Sequence, residues 1–310
     1  MKEVNCLFCN QKEDKVFWLE NGYKGRKCNQ CDLIYISPRP DEKEMAELYK
    51  KGQSGGARAI QHITYSLYKE LITKHTLRFI KKFKKNGDIL ELGSGGGQFL
   101  TEARSRGFNP FALEINKEQA DFILNQLDIK VENKTASDPN FFKEQKFDII
   151  YHKDLLSHLH NSVRTFKNLN NKLKNDGILI FETGNSGELS KYWLKFLGKL
   201  SYPEHLYLFS NKAILKLLEF SGFELVKCYY YSIVTARLMG KLFFLFQNNK
   251  KQECNFRKRE NFFKEDLSQA RKGALKKLLG YISFFLTYRI GKFFPHSWPS
   301  TIIYIAQKKL

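Results

Sequence analysis

Four cysteines fall in two pairs, Cys6 with Cys9 and Cys28 with Cys31, and 18 residues separate the pairs. Two residues between thiolates let a tight turn aim both sulfurs at one ion, and two such knuckles close a tetrahedron. The spacing predicts a four-cysteine zinc site within residues 1–40. Four protein ligands leave no open coordination position, so the metal would be structural and supply folding energy. The other reading is a coincidence of reduced dithiols. Cys228 and Cys254 have no such neighbours and read as packing residues. Proton transfer near neutral pH points to histidine. His152, His158 and His160 lie close together, and His205 closes the run Tyr202-Pro203-Glu204-His205.

A third feature is the stretch DILELGSGGGQFL, residues 88–100. Asp88 to Leu92 reads as a buried strand. Gln98 to Arg106 reads as a helix with Phe99, Leu100 and Ala103 on one face and Gly107 as its stop. A strand–glycine–helix unit collects free N–H groups and the helix dipole at one point, which suits a bound ligand. Dinucleotide binding asks for G-x-G-x-x-G. Gly93 and Gly95 fit, but Gln98 occupies the last position. The loop is instead E-x-G-x-G-x-G, on Glu91, Gly93, Gly95 and Gly97.

ELGSGGG resembles the first motif of the class I S-adenosylmethionine (SAM) methyltransferases. The likeness continues through FALEIN (111–116), KFDIIYHKDLLSHLHN (146–161), LKNDGILIFETGN (173–185) and YPEHLYLFSNKAILKLLEFSGFELV (202–226), and ends at TIIYIAQKK (301–309). The ordered series spans most of residues 88–235 and the end of the chain. It implies cofactor contacts at Glu91, Gly93, Ser94, Gly95, Gly97, Phe99, Glu114, Ile115 and Asp138. Glycines let backbone approach a cofactor closely. Glu114, at the tip of the second strand, would accept both ribose hydroxyls; otherwise it is a helix-start carboxylate before Asn116. Glu91 would order the loop or meet the methionine ammonium through water. Asp138 is the acidic candidate for adenine, or else a plain Asp-Pro turn.

The resemblance also implies the chemistry. A sulfonium methyl is already activated, so the protein aligns a nucleophile with it, excludes water and, where needed, supplies a base. Tyr202, Glu204 and His205 are similar to the Y-x-E-H segment of sugar C-methyltransferases, which also carry an N-terminal four-cysteine module. There the histidine is the expected base; Pro203 stands here where histidine is common. The other reading has His205 capping a loop. His158 matches the histidine of the family's LEHL, with Ser157 replacing glutamate, and is a structural anchor or a base. His152 is expected near the acceptor, and His160 toward solvent.

These residues need a scaffold. The order of elements predicts a doubly wound, Rossmann-like α/β fold. By resemblance its sheet has seven strands, the last antiparallel and paired with a strand near 222–231. The expected parts are a zinc ribbon over 1–40, a linker with helices over 41–87, a SAM-binding core over 88–234 completed by 300–310, and a basic helical insertion over 235–299. Helices are expected at 162–174, between Ser210 and Gly222, and from Phe262 to Ile290. In the last of these Leu267, Ala274, Leu278, Ile282 and Phe285 recur at helical spacing, with Arg271, Lys272, Lys276 and Lys277 among them.

The formal charge is +20, of which residues 241–310 carry +11, from 15 Lys/Arg against 4 Asp/Glu. Such a charge suits anionic partners, or else reflects a lysine- and asparagine-rich composition. The insertion reads as a lid over the domain, with a membrane surface or lipid-linked substrate as the second reading and nucleic acid as the third. MKEVNCLFC lacks the apolar core of a signal peptide, and LLGYISFFLTY (278–288) is too short for a membrane span, so a cytoplasmic location, peripheral to the membrane at most, is expected. The function expected is SAM-dependent methyl transfer, at oxygen or carbon, to a small molecule such as a nucleotide-linked sugar or surface-glycan precursor. An RNA methyltransferase is less favoured: no NPPY-like motif occurs, and residues 1–40 hold 7 Lys/Arg against 5 Asp/Glu. A catalytically silent binding protein is the third reading.

Overall fold

The computed structural model describes residues 1–45, 67–246 and 267–309. The patch KKQECNFRKRE (250–260), Cys254, the start of the long predicted helix and the side chains of Arg271, Lys272 and Lys276 lie outside the described residues.

The apolar segment after the helix α1 (Leu67–Phe83) becomes β4 (Gly87–Leu92), whose last four residues are buried. It pairs in parallel with β5 (Phe108–Leu113) on one side and β7 (Phe147–Lys153) on the other, which places it at the centre of the main sheet. Burial on both faces explains why it reads as a continuous apolar run rather than an alternating one. Outward lie β6 (Lys130–Glu132) beyond β5, and β8 (Leu173–Gly184), β11 (Ser300–Lys308) and β10 (Phe223–Ser232) beyond β7. The order is β10-β11-β8-β7-β4-β5-β6, with β11 antiparallel to both neighbours. This is the expected seven-stranded α/β sheet.

Helices cover both faces. α1, α2 (Gln98–Ser105) and α3 (Lys117–Leu127) pack on Ile89, Ala112, Ile149 and Ile180 through Leu77, Leu100 and Ile123. α4 (Ser162–Lys172) and α6 (Asn211–Phe220) pack on Leu90, Leu113, Ile150 and Phe181 through Phe166, Leu169 and Leu217. Their starts are capped by side chains, Asn116 for α3, Asn161 for α4 and Ser210 for α6, which occupy otherwise orphaned N–H groups. α4 ends at Lys172 rather than 174, because Leu173 already pairs with Phe147.

The N-terminal module is not a self-contained ribbon. Its strands β1 (Trp18–Glu20), β2 (Tyr23–Lys27) and β3 (Ile34–Ile36) form an antiparallel sheet, and a fourth strand, β9 (Tyr207–Leu208), pairs with β3. Ile34, Ile36, Tyr202 and Leu208 share one core cluster with Leu194 of α5 (Lys191–Leu197). Residues 207–208 therefore belong to both units, and the predicted boundary at residue 40 divides chain segments, not packed bodies.

The insertion before β11 comprises α7 (Val234–Phe246), α8 (Leu267–Phe285) and a π-helical turn, Leu286–Ile290. Phe284, Thr287 and Tyr288 face inward, whereas Leu278 (54% exposed) and Phe285 (44% exposed) face out. The predicted apolar row is thus not the packing face. α8 lies along α1, and a Cβ at Gly280 would be in ordinary van der Waals contact with Tyr68. No described helix is long and apolar enough to cross a membrane.

Candidate functional site

β4 ends at Leu92, and the chain bends through three glycines with positive φ, Gly93 (68°), Gly95 (54°) and Gly97 (69°). L side chains rarely adopt this conformation. At Gly97 space is lacking too, since a Cβ there would lie 2.5 Å from Leu127 Cδ1. The Gly93 N–H donates to the Leu113 carbonyl (2.8 Å), and the Gly97 N–H to Ser94 O (2.9 Å). Ser94 Oγ donates to the Glu91 carbonyl (3.1 Å).

Glu114, directly after β5, braces this bend. Its Oε2 accepts the Gly95 N–H and its Oε1 the Asn116 N–H, both at 2.9 Å. Each carboxylate oxygen has two lone pairs, so each retains acceptor capacity. Glu91 lies beneath, with Oε2 buried and unpartnered among the described residues. Burial, reinforced by the nearby Glu114 charge, pushes Glu91 well above the usual carboxylate range, against the Lys69 charge. Burial likewise raises Glu114, against the backbone N–H groups it accepts. Two buried carboxylates beside a side-chain-free bend fit a cationic, ribose-bearing ligand.

The other predicted cofactor contacts divide. Ile115 is 75% exposed beside the bend. Phe99 is buried and stacks on Tyr151, ring centroids 4.2 Å apart, so the structure places it in the core. Asp138 Oδ1 accepts the Asn140 N–H at 2.9 Å, which leaves its carboxylate closing its own turn.

The histidines divide as well. The structure does not bring His152 to the site. Its side chain points into the sheet face under α4, fully buried, with its ring stacked on Phe181 (5.3 Å) and both ring nitrogens unpartnered among the described residues. Burial alone lowers its pKa to about 3. His160 is half-buried rather than solvent-facing, and its carbonyl accepts from Arg39 (2.9 Å). His158 and His205 do meet: their rings are edge to face with centroids 4.8 Å apart. His158 sits on the 3-10 turn Leu156–His158 that follows β7, and the Leu206 N–H donates to the Ser157 carbonyl (2.8 Å), which ties the two loops together. Burial, then the His205 charge, lowers His158 to about 4. Burial also lowers His205, against the Leu200 carbonyl and the charges of Glu204, Asp154 and Glu20. Both rings are neutral at pH 7, the form that accepts a proton.

Tyr202 is 3% exposed, and its hydroxyl reaches under Gly25, where a Cβ would be 2.4 Å from that oxygen. It packs against the cysteine module rather than opening beside His205. Glu204 is half-buried beside His205 and adds a favourable charge to it.

The sequence reading passed over the polar group at the carboxyl ends of β7 and β8. A cavity of about 400 Å³ opens there, bounded by Lys153, Asp154, Glu182, Arg237 and Tyr288. It lies one strand from the glycine bend, where open α/β sheets hold their ligands. Glu182 is fully buried and pairs with the Lys153 ammonium. Burial disfavours both charges, but each holds the other ionised: Lys153 above its ordinary value, Glu182 below. Asp154 adopts φ 53°, in the left-handed region. A signal was present in ILIFETG, where Glu182 interrupts an apolar strand, since charges are rarely fully buried unless paired.

At the N-terminal module, Cys6 Sγ lies 3.5 Å from Cys31 Sγ, and Cys9 Sγ 3.4 Å from Cys28 Sγ. The sulfurs of Cys6, Cys9 and Cys28 lie within 4.8 Å of one another. Four thiolates about 2.3 Å from a zinc ion sit at about 3.8 Å from each other, so the sulfurs of Cys6, Cys9 and Cys28 are close enough to share one ion, with Cys31 beside Cys6.

A family model described as a methyltransferase domain matches residues 63–228, more than half of the chain. The ubiquinone biosynthesis O-methyltransferase of Rickettsia akari (strain Hartford) is 26% identical over 156 residues, covering 47% of this chain and 61% of that protein. Its counterpart in Pelagibacter ubique (strain HTCC1062) is 28% identical over 132 residues, covering 41% and 54%. The chain thus spans little more than half the length of these relatives. Among solved structures, a SAM-dependent methyltransferase from Archaeoglobus fulgidus aligns with a TM-score of 0.47 at 18% identity, covering 77% of this chain and 94% of that one. A coclaurine N-methyltransferase bound to N-methylheliamine and SAH aligns at 0.46 and 11%, covering 77% and 70%.

Proposed function

Because the chain belongs to the methyltransferase-domain family, we propose that it transfers the methyl group of SAM to a small-molecule acceptor. The observation that carries this is the glycine bend after β4, clasped by Glu114 through the Gly95 N–H. SAM supplies a methyl group already activated by a sulfonium charge. Gly93, Gly95 and Gly97 leave room for the donor, and Glu114 offers its remaining lone pairs to ribose hydroxyls. Glu91 faces the donor's positive end. His205, neutral and paired with His158, takes the proton that the acceptor loses, with Glu204 stabilising the imidazolium that forms.

The acceptor is a sugar-type hydroxyl compound, nucleotide-linked or a surface-glycan precursor, methylated at oxygen or carbon. The Tyr202–His205 segment supports the sugar, and the relatives named as O-methyltransferases support oxygen. Tyr202 serves by fixing the loop that presents His205. Cys6, Cys9, Cys28 and Cys31 hold a structural zinc ion. The outward row of Leu278, Tyr281 and Phe285, with the basic stretch that precedes it, supports a peripheral membrane contact. Sedimentation with anionic and neutral vesicles tests that contact.

Isothermal titration with SAM tests the main reading. Wild-type protein binds, and Gly95→Asp and Glu114→Ala each weaken binding by about tenfold or more. Equal affinity in all three proteins rules the assignment out.

A further inference from the structure

A second cavity, of about 170 Å³, opens between α1 and α8. Lys74 and Arg78 of α1 form one wall, and their spacing of four residues puts them on one helix face. Tyr281 and Phe285 of α8 and Arg289 of the π-helical turn form the other, over the buried His75 and Phe284. Its charges do not balance. The Lys74 ammonium is paired with Glu70, one turn earlier. Arg78 and Arg289 are exposed and have no acidic partner among the described residues. His75 stays neutral: burial lowers its pKa to about 4, and the Arg289 and Arg78 charges add to this against the Glu182 charge. Two guanidiniums from different elements thus face one small cavity, and an anion that both can fork onto removes the conflict.

Size and rim indicate which anion. The cavity is well below the about 300–1,000 Å³ of sites that enclose a whole organic ligand, so it takes a headgroup and leaves the rest of the molecule outside. Outside stand Leu278, Tyr281 and Phe285, exposed on α8. An apolar row beside cations is the arrangement that meets the boundary between lipid headgroups and acyl chains. A soluble phosphate ester has no use for that row. Two unpaired arginines also match the second negative charge that a phosphate monoester gains near pH 7 and a diester lacks.

We infer that the cavity between α1 and α8 binds the phosphate monoester headgroup of an anionic lipid such as phosphatidic acid, with Arg78 and Arg289 forking onto its oxygens and Leu278, Tyr281 and Phe285 against the bilayer. This rests on the peripheral membrane contact proposed above and names the lipid chemistry that holds it. It also places the lipid close to the cavity over β7 and β8. Tyr288 lines that cavity and packs on His75, ring centroids 4.9 Å apart, so the two cavities are separated by these two rings.

The test uses the full chain and vesicle sedimentation. Vesicles of phosphatidylcholine alone are compared with vesicles that also contain phosphatidic acid or phosphatidylglycerol, the latter two matched in surface charge. Diffuse attraction of lysines and arginines to a membrane responds to charge alone, whereas a built site should favour phosphatidic acid by about tenfold. Arg78→Gln and Arg289→Gln should each remove most of that preference, with S-adenosylhomocysteine affinity in isothermal titration unchanged. Arg78→Lys and Arg289→Lys keep the charge without the fork; they should still bind both anionic vesicles but lose the preference. Equal binding of the wild type to both, or a preference that the glutamine variants retain, overturns the inference while the membrane contact stands. If no vesicle binds, the membrane contact fails and the inference with it. Glycerol 3-phosphate carries the same headgroup without acyl chains. If it binds as tightly as the vesicles and depends on the same arginines, the site belongs to a soluble ester. If an RNA oligonucleotide displaces the protein from phosphatidic acid vesicles, the site belongs to nucleic acid. Either result overturns the lipid assignment.

Discussion

Glu20 Oε1 accepts the backbone N–H of Ser201 at 2.8 Å. The same carboxylate accepts the N–H groups of Leu200 (2.8 Å) and Tyr202 (3.3 Å), while Asn21 donates to the Tyr202 carbonyl (2.7 Å). The β1–β2 turn of the N-terminal module thus grips the loop that carries His205. Glu20→Ala should cost about 1–3 kcal/mol of stability. It should also lower kcat while leaving S-adenosylhomocysteine affinity intact. Thermal melts and titration read the two effects separately, and a variant with unchanged turnover would show that the grip is dispensable.

Loss of the proposed zinc ion should act on the same loop. β9 joins β3, and Ser210, the cap of α6, donates to the Cys31 carbonyl (2.9 Å). Cys28→Ser should release zinc, lower the melting temperature and reduce turnover together. Metal analysis beside a melting curve checks this; a stable, active protein without zinc would contradict it.

Gly97→Ala combines a positive φ with a Cβ 2.5 Å from Leu127 Cδ1. It should destabilise by about 1–3 kcal/mol. It should also weaken S-adenosylhomocysteine binding in isothermal titration, and pairing it with Leu127→Ala should recover part of that affinity, since the contact is removed while the backbone strain persists.

His205 should set the acidic limb of the rate profile. Its pKa is lowered by burial, so kcat/KM should hold down to the usual histidine range near 6.5 and fall only at lower pH. His205→Asn should abolish that limb and most of the rate. An unchanged profile would transfer the role to another group.

His152 makes a separate prediction about acid stability. Its folded-state pKa of about 3 lies below the ordinary histidine value of 6.5, so stability is full above pH 6.5 and is lost as pH falls toward 3, where the unfolded chain binds a proton that the folded one does not. His152→Phe suits the ring stack with Phe181 and removes two unpartnered nitrogens. Its melting temperature should match or exceed the wild type at pH 7 and exceed it more clearly at pH 5.

Local sequence carried the sheet and the cofactor bend. β4 is a continuous apolar run because both its faces are covered, and a bend built on positive φ draws on glycine, so Gly93, Gly95 and Gly97 could be read directly. Glu114 could be placed because it immediately follows a strand whose parallel pairing with β4 sets its height. The cysteine spacing was equally local, since each knuckle is a turn of four residues.

The assignments that changed depend on which way a side chain points, and a strand reverses direction at every residue. One position decides that His152 enters the core while Lys153 turns to the cavity. Helix rotation is similarly open to choice: α8 has apolar residues on more than one face, and only contact with α1 and the sheet decides that Phe284 and Tyr288 go in and Leu278 out. The sequence alone determined a methyltransferase-like sheet, a glycine bend and a four-thiol module. Tertiary structure decided that β9 belongs to both units, that Glu20 holds the His205 loop, and that Lys153, Glu182 and Tyr288 meet. Residues 20 and 201, or 182 and 288, are distant in the chain and carry no shared periodicity, so only the folded packing brings them together.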